Sequence, residues 1–258
     1  MKEENEKSLK GKLAFITGAY QGLGRVTAEK LAENGADVIV NDLPIPAIEQ
    51  AGEELVRRLS SIGVRAGKVD GDISRSTELK KIHSQIMEEY GNVDIVINNA
   101  GPFDTNPFLE LEEEKWDLVM DVNVKAVYLT ASLFAPAMKK KGWGRIVNMC
   151  AGSAYIRNHG VYGLAKAAVG FLTEELALEL GPEITVNAVA PGQIEESLPL
   201  IHQIDPTFGK RYREKSALNR LVTRRDIAKV IGQICSPVFD TMTGVVLRID
   251  AGAELPRF

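Results

Sequence analysis

Cysteine is scarce in this chain. Its 258 residues hold two, Cys150 and Cys235, too few for a multi-bridge framework, and neither has a second ligand at metal-binding spacing. That argues against a disulfide-stapled scaffold and against a metal site, and it points to a reducing cytoplasm. A surplus of charge is also missing: 31 Lys and Arg stand against 35 Asp and Glu, a formal net charge of -4. No electrostatic excess exists to hold a polyanion, so nucleic acid is not an expected partner. The basic run Lys139-Lys140-Lys141 falls at the end of an expected helix, where cations complement the terminal carbonyls. Eighteen consecutive apolar residues occur nowhere, and the charged lead Met1-Lys2-Glu3-Glu4-Asn5-Glu6-Lys7 has no apolar stretch behind it. Neither membrane spanning nor secretion is therefore expected.

A hydrophobic fraction of 45% and a charged fraction of 26% are those of an ordinary globular chain, and the length suits one large α/β domain. Residues 1–10 read as a charged lead and 11–258 as a single domain. Short apolar runs at Leu13-Ala14-Phe15-Ile16, Val38-Ile39-Val40, Lys68-Val69 and Val93-Asp94-Ile95-Val96-Ile97 read as strands. Arg145-Ile146-Val147, Thr185-Val186-Asn187-Ala188-Val189 and Val245-Val246-Leu247-Arg248-Ile249 continue the series. Between them lie segments of helical period: from Gly22, Ala47 to Leu59, Ser76 to Tyr90, Glu112 to Met138, Val161 to Leu180, and a last helix opened by Thr223 with Asp226 as capping partner. Strands that are near-continuous apolar runs, alternating with helices, call for a doubly wound parallel sheet with helices on both faces, the Rossmann arrangement. The stretch from Gln193 to Asn219 lacks clean periodicity and holds Pro199 and Pro206; an unstructured loop of that length is read as a substrate lid.

Thr17-Gly18-Ala19-Tyr20-Gln21-Gly22-Leu23-Gly24 puts three glycines where the first strand turns into a helix. Glycine there lets the backbone approach a pyrophosphate, while the helix start offers unpaired N–H groups and positive dipole. Gly18, Gln21, Gly22, Leu23 and Gly24 are thus expected to bind a dinucleotide. Asp42, about twenty residues further on, ends the second strand, where a carboxylate accepts hydrogen bonds from an adenosine ribose and repels a 2′-phosphate. No Arg or Lys stands at Tyr20, Gln21, Leu43 or Pro44, so NAD is favoured over NADP.

Four motifs then recur in order: the glycine turn, Asn98-Asn99-Ala100-Gly101 after the fourth strand, Tyr162-Gly163-Leu164-Ala165-Lys166 on a helix, and Pro191-Gly192 after the sixth strand. In this set the chain resembles the short-chain dehydrogenase/reductase family, from Gly11 to Asp250-Ala251-Gly252. The Tyr-x-x-x-Lys spacing puts both side chains on one helix face. Two unit charges about 5 Å apart at an effective dielectric of about 20 interact by roughly 3 kcal/mol. Lys166 is accordingly expected to bring the Tyr162 phenol from about 10 toward 8, so that it exchanges protons near neutral pH. The resemblance further implies that Lys166 holds the nicotinamide ribose and that Asn123 supports a water-linked proton relay. It implies that Asp72 and Ile73 meet the adenine, although an N-cap role for Asp72 or Ser74 competes. It also has Asn99, Ala100 and Gly101 line the cofactor together with Pro191, Gly192 and Ile194.

Two departures from the family pattern stand out. Where the family ends its fifth strand with a serine that polarises the substrate carbonyl, this chain has Cys150 or Ala151, and the loop that follows is about two residues short. Ser153 is the nearest hydroxyl and the candidate substitute, with Asn158 or His159 as other donors. After Pro191-Gly192-Gln193-Ile194 the chain reads Glu195-Glu196-Ser197 in place of the family's frequent threonine; Glu195 or Glu196 would receive substrate hydroxyls.

The sequence thus reads as a cytoplasmic oxidoreductase moving hydride between NAD(H) and a small-molecule secondary alcohol or ketone. An NADPH-dependent 3-oxoacyl-(acyl-carrier-protein) reductase and a sugar or polyol dehydrogenase are alternatives within the family. A dinucleotide-binding sensor or scaffold is the alternative of another class, kept open by Cys150-Ala151. The resemblance also implies a homo-oligomer, a tetramer formed through the helices of Asn123 and Tyr162.

Overall fold

Seven strands form: β1 (Leu13–Thr17), β2 (Asp37–Asn41), β3 (Ala66–Lys68), β4 (Ile95–Asn98), β5 (Gly144–Met149), β6 (Ile184–Pro191) and β7 (Val246–Ile249). The computed structural model, which describes residues 7–155, 160–203 and 205–255, joins them into one sheet in the order β3-β2-β1-β4-β5-β6-β7. Every neighbouring pair is parallel. From β1 the chain goes outward to β2 and β3, then returns to start β4 on the other side of β1. The carboxyl ends of β1 and β4 therefore border the crevice at which an open α/β sheet binds its ligand.

Between the strands lie α1 (Gly22–Glu33), α2 (Pro46–Ser61), α3 (Ser76–Glu89), α4 (Glu113–Met120), α5 (Ala126–Lys141), α6 (Gly160–Leu180), α7 (Leu198–Ile201), α8 (Phe208–Lys215) and α9 (Arg224–Ile234). Successive strand residues point to opposite faces, and the core divides accordingly. Ala14, Ile16, Val38 and Val40 pack with Ala28, Leu31, Leu55, Leu59, Ile227 and Ile231 on the α1, α2 and α9 side. Phe15 and Ile39 pack with Leu79, Ile86, Phe134, Met138 and Leu180 on the α3, α5 and α6 side. Each fully buried Leu, Ile or Phe contributes about 1.5–3 kcal/mol, so both layers are held by apolar burial. The expected doubly wound parallel sheet is what forms.

Helix ends follow the local chemistry. Thr223 caps α9 by accepting from Asp226 N while the Asp226 side chain returns to the Thr223 amide, the reciprocal box that spares two end donors. At the other end of the scale, α4 and α5 join through a π turn, Asp121–Lys125, into a helix from Glu113 to Lys141. By length and composition it could cross a membrane; here its Ala126, Val127, Ala131, Phe134, Ala135 and Met138 face the core. Gly142, at φ +73°, ends it: its amide and that of Trp143 bond back to Lys139 O and Met138 O at 3.0 and 3.2 Å, a left-handed cap that favours glycine.

Two segments carry more structure than their sequence pattern suggests. The stretch 193–219 contains α7 and α8, each too short to show a helical period. Leu9, in the charged lead, is fully buried, and its amide donates to Asn34 O at 2.9 Å.

Candidate active site

The glycine turn is shaped by contacts that exclude side chains. A Cβ on Gly18 would lie 2.8 Å from Ala100 Cα, and one on Gly24 would lie 2.6 Å from Asn99 Nδ2 and press on Gly18 O. Gly18 and Gly22 also take φ of +61° and +62°, where L side chains are strained. Asn99 holds the turn from β4: its Nδ2 donates to Thr17 O and Gly18 O at 3.0 and 2.8 Å. Thr17 Oγ1 in turn accepts from the amides of Asn99 and Ala100, each at 3.1 Å. Gln21 is the extended residue before α1, which has no side-chain cap and no acidic residue in its first turn. Its leading N–H groups and positive end are thus left open to an anion. A narrow turn that a Cβ would fill, leading into an uncapped helix, fits a dinucleotide pyrophosphate.

Asp42 follows β2 directly. Its carboxylate accepts from Tyr20 N at 3.2 Å and Leu43 N at 3.0 Å; burial raises its pKa, partly offset by these two amides. Beneath it lies an arrangement that the sequence motif does not announce. Tyr20 is fully buried and donates its hydroxyl to Asp70. Lys68 Nζ lies 2.9 Å from Asp70 Oδ2 and 3.7 Å from Glu49 Oε1. The Lys68 ammonium at the end of β3 is therefore bonded to Asp70. Neither Asp72 nor Ser74 caps α3, whose N-cap position is Arg75 without a side-chain cap bond; Asp72 Oδ1 accepts from Ser74 N at 2.9 Å and Ser74 Oγ at 2.6 Å in the turn before α3, with Ile73 buried beside it.

Asn123 and Lys166 converge on Gly101. A Cβ there would strike Asn123 Oδ1 and lie 3.3 Å from Lys166 Nζ. The π turn positions Asn123, whose Nδ2 donates to Val119 O at 2.9 Å and Pro102 O at 3.0 Å. Among the described residues its buried Oδ1 has no partner, an orphaned acceptor of the kind a bound water or ligand satisfies. Tyr162 lies one turn before Lys166 on α6, with the ammonium 5.5 Å from its ring centre, and Phe103 packs edge-on against it at 4.7 Å.

The proton chemistry differs from the expected one. Lys166 Nζ donates to Met149 O at 2.6 Å, and burial lowers its pKa to about 8. Burial pushes the Tyr162 phenol up to about 12, with the neighbouring Cys150 adding to the rise. The ammonium is held by a backbone carbonyl at the end of β5, so the loss of water around the phenol prevails over the attraction estimated from spacing alone.

At the family's serine position the structure separates the two candidates. Cys150 Sγ lies 3.1 Å from Lys166 O and is buried with Ala188 and Ala190, so its thiol faces the packed interior. Ser153 sits in the tight turn Gly152–Ala154, and its Oγ is buried with no hydrogen-bond partner among the described residues. Asn158 and His159 lie outside the described residues.

Pro191 ends β6, and Gly192 bonds through its amide to Ile249 O at 2.9 Å. A Cβ on Gly192 would lie 2.8 Å from the Tyr212 hydroxyl, which accepts from Gln193 N at 3.1 Å; α8 is thereby tied to the loop after β6. Ile194 forms an isolated parallel bridge with Val222. The two glutamates expected to meet substrate are turned to protein partners. Glu195 pairs with Arg213 at 2.7 Å, and Glu196 accepts from Arg224 N at 3.1 Å, capping the start of α9. A third glutamate, Glu254, stands two residues beyond Asp250-Ala251-Gly252 and is not itself part of a sequence motif. Its carboxylate lies on Gly152, with Oε2 2.6 Å from where a Cβ would stand.

With this geometry in place, the comparisons with known proteins agree. A family model described as enoyl-(acyl carrier protein) reductase matches residues 18–254. The chain belongs to the short-chain dehydrogenase/reductase family. It is 31% identical over 250 residues to a 3-oxoacyl-(acyl-carrier-protein) reductase of Aquifex aeolicus, covering 96% of this chain and 99% of that one. To a short-chain dehydrogenase/reductase of Hericium erinaceus it is 34% identical over 249 residues, 95% and 98% of the two chains. Among solved structures, a gluconate 5-dehydrogenase of Burkholderia cenocepacia in complex with NADP and tartrate superimposes with a TM-score of 0.90 at 26% identity, over 98% of both chains. A 7α-hydroxysteroid dehydrogenase in complex with NADH and 7-oxo glycochenodeoxycholic acid does so with 0.89 at 30% identity, again over 98% of both. The family makes this chain an oxidoreductase that binds a nicotinamide dinucleotide.

Proposed function

We propose that the chain transfers hydride reversibly between NAD(H) and a small secondary alcohol or ketone, Tyr162 giving or taking the proton at the substrate oxygen. The bound dinucleotide supplies or accepts the hydride. Gly18, Gln21, Gly22, Leu23 and Gly24 hold its pyrophosphate, and Ala100, Gly101, Pro191, Gly192 and Ile194 line the rest of its crevice. Lys166 orients the nicotinamide ribose, and the unpartnered Asn123 Oδ1 holds a relay water. Ser153, whose hydroxyl is likewise unpartnered, donates to the substrate oxygen in place of the missing serine. The segment 193–219, carrying α7 and α8, closes over the substrate.

The choice of NAD rests on one observation: Asp42 follows β2 with a half-buried carboxylate, while Lys68, on the adjacent strand β3, is bonded to Asp70. Relatives use either cofactor, since one neighbour is described with NADP and another with NADH. Exposed apolar residues on the outer helices, Tyr128 on α5 with Leu164, Phe171 and Leu178 on α6, support a homotetramer. Both cysteines are buried as free thiols, which suits the cytoplasm. The test is turnover with NADH and NADPH against ketones, acyl thioesters and sugars; loss of NADH-linked turnover in Tyr162→Phe supports the reading, and turnover that survives in it overturns the reading.

A second reading, a dinucleotide-binding sensor, is favoured by one feature alone, the Cys150-Ala151 segment that lacks the serine. Tight NADH binding with no turnover across that panel would select it.

A further inference from the structure

Among the described residues, two of the buried polar atoms that find no partner, Ser153 Oγ and Glu254 Oε2, belong to residues that adjoin the same glycine, Gly152. The Glu254 carboxylate lies on the Gly152 α-carbon, and its presence there requires glycine, since a Cβ would meet both oxygens. The position borders the catalytic residues on one side: Cys150 senses the charges of both Lys166 and Glu254. It borders the lid on the other: the Tyr212 phenol of α8 senses Glu254 and Asp250. A carboxylate oxygen withdrawn from water and left without a donor is costly, and such a group persists where a ligand completes it.

We propose that Glu254 is a substrate-binding carboxylate that accepts a hydroxyl flanking the reacting carbonyl, so that the substrate class is an α-hydroxy ketone and its vicinal diol. This rests on the oxidoreductase reading above and deepens it. Ser153 donates to the carbonyl oxygen, and Glu254, against Gly152, accepts from the neighbouring hydroxyl. A neutral hydroxyl suits the site better than an ammonium group, because two cations, Arg248 and Lys215, already face the two carboxylates Glu254 and Asp250. The pairing also separates this chain from an acyl-thioester reductase, whose substrate carries no hydroxyl beside the ketone.

The experiment compares hydroxyacetone with acetone as the NADH-linked substrate, in wild type, Glu254→Gln and Glu254→Ala, with NADH affinity measured in parallel by fluorescence. The wild type is expected to favour hydroxyacetone in kcat/KM by tenfold or more. That preference shrinks in Glu254→Gln and vanishes in Glu254→Ala, while NADH affinity stays unchanged. A preference that survives in Glu254→Ala, or an equal loss on both ketones, overturns the proposal. Should the wild type reduce neither ketone, the oxidoreductase reading is decided by the wider substrate panel, and thermal melting of the NADH-loaded protein decides the binding role. Stabilisation by hydroxyacetone that is absent in Glu254→Ala supports it; no stabilisation of the wild type overturns it.

Discussion

Lys166 donates its ammonium to Met149 O at 2.6 Å, while the Tyr162 ring centre lies 5.5 Å from the same nitrogen. The ammonium is therefore fixed by β5, and the phenol sits at about 12 with burial as its main determinant. A positively charged nicotinamide ring beside the phenol would favour the phenolate. Titrating tyrosinate absorbance in wild type minus Tyr162→Phe should show no Tyr162 ionisation below about 11 without cofactor, and a clear downward shift with NAD⁺ bound. Identical curves with and without NAD⁺ would refute this account of how Tyr162 is activated.

Cofactor choice tests the region around Asp42. A carboxylate about 5 Å from a 2′-phosphate at an effective dielectric of about 20 disfavours it by roughly 3 kcal/mol per unit charge, more than a hundredfold. Asp42→Ala should move the NADPH-to-NADH ratio of kcat/KM upward by at least tenfold, mostly through NADPH. Asp70→Asn should move it the same way and by less, because Lys68 loses its bonded partner. An unchanged ratio in both variants would detach selectivity from this corner of the fold.

How much of this was legible beforehand depends on the kind of contact. The apolar runs of β1, β2 and β4 and the Thr223–Asp226 box were readable because period and capping are local properties of the chain. The glycine turn was readable for the same reason. Partners fixed by distant backbone were not: Met149 O for Lys166, Arg224 N for Glu196, and Gly152 for Glu254 are chosen by the sheet order and by how the carboxyl-terminal segment returns to β5. The role of Tyr20 was hidden for a related reason: it stands in the glycine turn, but its ring is buried against Gly52 and its hydroxyl belongs to Asp70, both distant in sequence. The helices α7 and α8 were hidden by their shortness, at 4 and 8 residues.

The glycine turn offers a test of binding without chemistry. In Gly24→Ala the new methyl would press on Gly18 O and lie 2.6 Å from Asn99 Nδ2, breaking the bonds by which β4 holds the turn. NADH affinity should fall by tenfold or more, with far-ultraviolet circular dichroism unchanged. Retention of full affinity would show that the turn does not hold the pyrophosphate.

Ser153 and Ala151 test the displaced hydroxyl. Removing one oriented donor to a developing oxyanion costs about 3 kcal/mol, a hundredfold or more in rate. Ser153→Ala should therefore lower kcat about a hundredfold with NADH affinity intact. Ala151→Ser introduced into that variant should recover part of the loss, since of the two positions at which the family's serine falls, Cys150 is turned to Lys166 O and Ala151 is the other. Unaltered kcat in Ser153→Ala would leave the carbonyl without this donor.

Glu254 makes a last prediction that concerns stability alone. Its pKa is raised from 4.5 to about 6, first by burial and then by Asp250. For a group raised in the folded state, protonation stabilises the fold; the gain is complete below the unfolded value and is lost as pH rises through the folded one. At neutral pH the wild type holds an unpartnered, half-buried carboxylate, and Glu254→Gln removes its charge while keeping its shape. The variant should melt above the wild type at neutral pH, with the gap closing as pH falls from about 6 toward 4.5. A residue kept for packing would give the opposite order at neutral pH, with the variant melting lower. A residue kept at a cost in stability is what a binding group looks like; a gap that is absent or constant across that range would show that the Glu254 carboxylate is already satisfied in the free protein.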